Sequence, residues 1–267
     1  MKKKHFVWSR LYMAIVLFMM YLPIFYLIFY SFSSGKNMSR FRHFTWAHYV
    51  TLFHDDRLLA IFIETIMLAL LSSLVATLIG TFGAIAIDQA KSKKFKGILL
   101  ALNNILMVSP DVIIGASFLI FFTALGISLG FGSVLLSHIA FSIPVVVLMV
   151  LPRLKEMDRS LIDAAQDLGA NQFDVFSKIL LPVITPGILS GFFMAFTYSL
   201  DDFAVTFFVT GNGFSTLSVE IYSRARQGID LEINALSALM FVFVLALVFV
   251  YYLIEKRRRF KKAPKRG

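Results

Sequence analysis

The sequence predicts an all-α integral membrane protein of six transmembrane helices, and three observations carry that prediction. Hydrophobic residues make up 58% of the 267 residues and charged residues only 16%, with a mean hydropathy of +0.78. An ordinary globular domain has about 45–50% apolar and about 25% charged residues. The apolar residues gather into runs of about 20 or more, the length a helix needs to cross about 30 Å of hydrocarbon. The positive charges lie mostly to one side of those runs. Such a composition excludes a disordered chain, and the absence of cysteine excludes disulfides, thiolate metal sites, cysteine nucleophiles and iron–sulfur clusters.

Six runs justify six spans: residues 11–32, 60–87, 97–125, 131–151, 186–209 and 235–254. The first is too long for the apolar stretch of a signal peptide and no cleavage site follows it, so it reads as a retained helix. A glycine-containing turn at residues 126–130 separates the third from the fourth. With six spans both termini share a side, and that side holds twenty of the 26 lysines and arginines. The rule that positive loops stay inside places both termini in the cytoplasm. The basic tail from Lys256 to Arg266 then reads as an anchor at anionic membrane lipid rather than a nucleic-acid site. No linker divides the chain, so one transmembrane domain over residues 1–267 is expected, with its largest internal loop at about residues 153–182.

That loop carries the most specific pattern. Leu161, Ala164, Ala165 and Leu168 recur at helical spacing, Gly169 suits a helix stop, and Phe173, Phe176, Ile179 and Leu180 suggest a second short helix leading to Pro182. The alternative is a helix lying flat on the bilayer. Four acids (Asp158, Asp163, Asp167 and Asp174) facing anionic lipid oppose it.

Asp163-Ala164-Ala165, Gly169 and Ile179-x-Leu181-Pro182 resemble the "EAA" loop of the membrane subunits of bacterial ABC importers, with Asp163 where the pattern has Glu. The resemblance implies the MetI-like, type I importer fold and a coupling loop that docks into a separate ATPase. Asp163, Ala164, Ala165, Gly169, Phe173 and Phe176 are then the coupling residues. The sequence holds no P-loop, so ATP and its magnesium would sit on that ATPase, with no cofactor on this chain.

Acids inside the spans are the second signal, because a charge in the bilayer costs several kcal/mol. Asp111 follows Pro110 in the third run, and Asp201 and Asp202 sit late in the fifth. As regular helices these runs put Asp111 and Asp201 roughly 20 Å from the ends that share the termini's side. Neither span offers a lysine or arginine, so a cationic solute is the expected counter-charge. A flexible amine chain needs separated carboxylates and aromatic walls, here Tyr198 and Phe203. On a regular helix Asp201 and Asp202 point about 100° apart, so one can face the path while the other binds backbone. A capping role for Asp201 or Asp202, and a protonated, hydrogen-bonded Asp111, stand beside this reading.

Ser199-Leu200-Asp201-Asp202-Phe203, Phe208-Val209-Thr210-Gly211, Ile221-Tyr222-Ser223 and Glu232-Ile233-Asn234-Ala235-Leu236 look like the PotC-type spermidine/putrescine permease subunits of those importers. The likeness implies a permease subunit with a non-catalytic role and half of a shared polyamine path. It also implies four kinds of partner: a second, similar permease chain, an ATPase dimer, an extracytoplasmic polyamine-binding protein and the lipid of a bacterial inner membrane. Tyr222 and Arg226, four residues apart, are candidates for an external gate with Trp46, against the plainer readings of a solvated loop and an interface anchor.

Three other functions are weaker. The same importer class for another organic cation remains open, and an anion fits three acids poorly. A proton-coupled carrier relaying through Asp111 and Asp201 would need no ATPase. A membrane enzyme would need clustered ligands or a nucleophile with a base, and His43, His48, His54 and His138 offer neither. No metal site is expected, and His138 reads as a hydrogen-bonded interior residue.

Overall fold

The computed structural model describes residues 2–35, 38, 40–227 and 231–262, and the side chains within them except at residues 2–7, 227, 251 and 254–262. The tail from Lys256 therefore lies outside the described side chains. In chain order the helices are α1 (Lys2–Ser31), α2 (Ala47–His54), α3 (Asp56–Gln89), α4 (Lys93–Val108), α5 (Asp111–Ala124) and α6 (Phe131–Glu156). They continue with α7 (Ser160–Asp167), α8 (Gln172–Asp174), a π-helical turn (Val175–Leu180), α9 (Leu181–Asp201), α10 (Ala204–Val209), α11 (Leu217–Gln227) and α12 (Leu231–Lys262). The chain divides into two compact units, residues 1–59 with 221–267, and residues 60–220.

Five helices are long and apolar enough to cross a membrane alone, and α4 with α5 makes a sixth crossing only as one broken span. The expected continuous third span is thus corrected: the two halves meet at an angle of 106°. Proline explains the break. Pro110 has no N–H to continue the ladder, and its ring excludes helical backbone from the residue before it. Ser109 is accordingly extended, at φ −70° and ψ 138°. The depth expected for Asp111 from a straight helix fails with it, since Asp111 is the first residue of α5.

The fifth run is also interrupted. Asp202 leaves the helix at φ −61° and ψ 124°, and α10 starts two residues later. Elsewhere the starts follow their caps. Ser92 accepts from the Phe95 N–H at the start of α4, and Asp55 receives the N–H groups of Arg57 and Leu58 at 3.0 and 3.1 Å at the start of α3, the role short acceptor side chains take at helix N-termini.

In the larger unit α6 lies along α9 and α3. Val146, Val147 and Val150 of α6, Ile184 and Ala195 of α9, and Ala84 and Ile87 of α3 form one buried cluster. A second gathers Ile114 and Phe122 of α5, Val134 and Phe141 of α6, and Val205 and Val209 of α10 around Leu68. Where lipid is as apolar as leucine, close fit rather than hydrophobicity holds such helices together. Gly115 supplies it between α5 and α10: a Cβ there would meet the Phe208 ring at 2.8 Å and the Val205 Cα at 3.0 Å.

In the smaller unit α1 and α2 lie against α12. Phe32, Phe44, Trp46 and Tyr49 form an aromatic block, with Phe32 and Phe44 stacked 5.2 Å apart and Trp46 edge-on to Phe32 at 4.9 Å.

Candidate functional site

The breaks in the third and fifth runs place acids at helix ends, and side chains from α4, α6 and α9 close a space beside them. A cavity of about 330 Å³ is lined by Leu106 and Met107 of α4, Phe141 and Val145 of α6, and Met194, Thr197, Tyr198 and Asp201 of α9. Its wall is apolar and aromatic apart from Thr197, the Tyr198 hydroxyl and the Asp201 carboxylate. The Tyr198 hydroxyl donates to Oδ1 of Asp111 at 3.0 Å, so the second acid stands at the cavity's tyrosine. The lining brings no lysine, arginine or histidine to face these carboxylates.

Asp202 is elsewhere. It is only 8% exposed, and its carboxylate receives the N–H groups of Val205 and Thr206 at 3.3 and 2.8 Å and the Thr206 hydroxyl at 2.7 Å. His138 Nε2 lies 3.5 Å away. This acid caps α10, a partner the expectation of three uncompensated acids lacked. The two neighbours divide where the helix ends, Asp201 to the cavity and Asp202 to the backbone N–H groups of α10. Phe203 sits in the break with its ring 5.4 Å from Phe207, and it is not part of the lining.

The lining residues sequence reasoning missed are Leu106, Met107, Phe141, Val145, Met194 and Thr197. They are ordinary span residues, with no charge or motif to single them out.

Within residues 153–182, α7 covers the expected amphipathic helix, while the expected second short helix is α8 and a π-helical turn that run on into α9. Helix α7 is followed by Gly169 at φ +84°, a backbone conformation a side chain would strain. Asn171 then caps α8 by accepting from the Asp174 N–H at 2.9 Å. Asp163 and Ala164 are exposed and Ala165 half-buried. Leu168 is 89% and Phe173 74% exposed. Phe176 differs: it is half-buried on the first core cluster and stacks on Phe82 at 6.4 Å. Of the two phenylalanines expected to fill a partner's pocket, only Phe173 is presented outward.

Asp88, at the end of α3, ties this loop to the bundle. It pairs with Arg159, just before α7, at 3.1 Å and with Lys96 of α4 at 3.5 Å. The Ser160 N–H beside Asp158, 3.0 Å away, holds that carboxyl below the usual carboxylate range. The loop therefore keeps this negative charge as pH falls.

The gate candidates lie in the smaller unit. Arg226 stands over the Tyr222 ring at 5.9 Å, within cation–π reach. Trp46 belongs to the aromatic block before α2. His48 and His54 of the same segment contact the backbone carbonyls of Ser33 and Val50 at 2.9 and 2.7 Å.

The model of the binding-protein-dependent transport system inner membrane component family matches residues 76–260, a stretch that contains both the cavity and the loop. The chain belongs to this family. It is a permease component of an ABC importer, with the all-α fold of that class, and its ATPase is a separate chain.

Two curated relatives are the PotC permease proteins of spermidine/putrescine transport systems. That of Haemophilus influenzae is 35% identical over 92% of this chain and 95% of its own length. That of Escherichia coli is 38% identical over 89% of each. The PotI permease of an Escherichia coli putrescine transport system is 33% identical over 90% of this permease and 88% of its own length. Among solved structures, a bacterial ABC transporter involved in the import of the acidic polysaccharide alginate superposes with a TM-score of 0.74 at 20% identity, over 98% of both chains. The MetNI methionine ABC transporter, inward facing, gives 0.61 at 19% identity, over 76% of this permease and 96% of that chain. These two show the shared fold.

Proposed function

We propose that this permease carries polyamines, spermidine or putrescine, through a path on which Asp111, Asp201 and Tyr198 meet the substrate's amines. The observation that carries the reading is the pairing of two carboxylates from separate helices at one apolar cavity whose lining supplies no cation. A polyamine brings the missing charge, and its methylenes suit walls of Phe141, Val145 and Met194. The PotC and PotI relatives, named for these solutes, support it. Asp202 contributes by shaping the break after Asp201, and Phe203 by packing within it.

The permease works as one transmembrane domain beside a second, homologous but non-identical permease chain. Two ATPase subunits meet the two coupling loops, and an extracytoplasmic polyamine-binding protein delivers the solute. In this chain the docking face is Asp163, Ala164, Ala165, Gly169 and Phe173. With α4 and α5 counted as one broken crossing, both termini and the loop are cytoplasmic, a reading the charge distribution supports. ATP-driven approach of the two loops rocks the halves and exposes the path outward. Tyr222, Arg226 and Trp46 gate its external end.

The test is labelled-spermidine uptake into liposomes holding the complete transporter, with ATP enclosed or omitted and with a protonophore added. Uptake that needs ATP and survives the protonophore is expected. Uptake without ATP would establish the secondary carrier instead, and ATP hydrolysis with no polyamine uptake would move the solute to another class.

A further inference from the structure

A chain of buried side chains in the larger unit connects four helices without entering the cavity. Ser72 of α3, His138 of α6 and Thr206 of α10 are 0% exposed, and Ser199 of α9 is 1% exposed. Their proton positions follow from the donor inventory. The Thr206 hydroxyl gives its single hydrogen to Oδ2 of Asp202 at 2.7 Å. At its 2.9 Å contact with His138 Nε2 it must therefore accept, and Nε2 carries a hydrogen. His138 Nδ1 meets the Ser199 hydroxyl at 2.7 Å, and Ser199 meets the Ser72 hydroxyl at 3.0 Å, which also donates to the Ala69 carbonyl at 3.2 Å. These contacts run without a gap from α3 to the carboxylate of Asp202.

His138 governs both acids of the cavity from this place. Through Thr206 it fixes Asp202, the residue at which α9 stops, and so fixes where the preceding Asp201 stands. On its other face the imidazole lies 4.8 Å from the Phe141 ring, Phe141 lies 4.9 Å from Tyr198, and the Tyr198 hydroxyl holds Asp111. The same Thr206 lies in the first turn of α10, which Gly115 keys to α5, the helix that starts with Asp111. Water is excluded here, so no solvent replaces a lost link.

We propose that His138, acting with Asp202, is a positioning residue that sets the separation between Asp111 and Asp201 and thereby the length of amine chain the permease accepts. The length claim rests on reading the cavity as the polyamine site, and the positioning claim does not. Imidazole suits the task because it is rigid and offers a donor and an acceptor on opposite sides of one ring. Glutamine keeps a donor and an acceptor on a flexible stem, and leucine keeps neither.

The experiment uses the complete transporter with His138→Leu, His138→Gln or Asp202→Asn, and compares kcat/KM for spermidine with that for putrescine. His138→Leu is expected to change this ratio at least threefold while ATP hydrolysis persists, with His138→Gln returning most of the way to wild type. Equal loss for both amines, or no loss, would overturn the length claim. Asp202→Asn, which is isosteric, takes over if His138→Leu fails to assemble, with the same ratio deciding.

The chain has no cysteine, so spin labels can be placed at Val112→Cys on α5 and Met194→Cys on α9 alone. Electron double resonance should show a broader distance distribution with His138→Leu or Asp202→Asn than without, and an unchanged distribution would overturn the positioning role. Broadened distances, with an unlabelled wild-type transporter that hydrolyses ATP but imports neither polyamine, would sustain positioning while refuting the solute.

Discussion

The Tyr198 hydroxyl donates to Asp111 at 3.0 Å across 87 residues of sequence, joining the end of one broken helix to the wall of another. It is the contact that converts two isolated acids into a paired site. Tyr198→Phe keeps the ring on Phe141 and removes only this bond. A hydrogen bond to a charged group contributes about 1.5–3 kcal/mol, so KM for spermidine should rise at least tenfold with assembly intact. Uptake kinetics at fixed ATP check it, and an unchanged KM would show that Asp111 needs no holding.

Gly115 faces the Phe208 ring so closely that a Cβ would stand 2.8 Å from it. Overfilling a packed contact costs about 1–3 kcal/mol. Gly115→Val should lower the melting temperature of the detergent-solubilised transporter, and Gly83→Val, with its nearest neighbour at 3.8 Å, should lower it less.

Phe173 and Phe176 are separated by one turn and by their surroundings, 74% exposed against half-buried on the core. Phe173→Ala is expected to weaken co-purification of the ATPase at unchanged thermal stability. Phe176→Ala is expected to reduce stability first. The reverse assignment would place the docking surface on the other face of the loop.

Asp88 links Arg159 of the loop to Lys96 on α4. The Asp88 side chain is 11% exposed and that of Arg159 68%, and an ion pair open to solvent on one side contributes about 1 kcal/mol, so Asp88→Asn should lower stability only slightly. Its effect is expected in coupling, as fewer spermidine molecules imported per ATP hydrolysed, measured with both counted in one liposome preparation. The double reversal Asp88→Arg with Arg159→Asp should recover part of the loss.

Much of this was legible in sequence, for identifiable reasons. Hydropathy locates apolar runs and fixed spacing locates the loop, so a helix through residues 131–151, a short one around residues 161–168 and the stop at Gly169 could be read directly. Hydropathy is blind to direction, however, and the run through residues 97–125 conceals a 106° bend that only Pro110 hints at. Adjacent Asp201 and Asp202 are equivalent as letters. What separates them is Thr206, four residues on, together with His138 from another helix, a meeting that tertiary structure alone creates. Phe176 and Phe173 likewise share a short apolar pattern, and the π-helical turn decides which one faces inward.

The central claim is that the carboxylates of Asp111 and Asp201 carry the charge of a polyamine through the permease. Asp111→Asn and Asp201→Asn test it most directly, because asparagine keeps shape, and an acceptor for Tyr198, while removing the charge. In liposomes with the complete transporter, ATP-dependent spermidine uptake should fall at least tenfold for each and further for both, with ATP hydrolysis and assembly retained. Uptake at the wild-type rate in the double variant would contradict the account and place the substrate's counter-charges elsewhere.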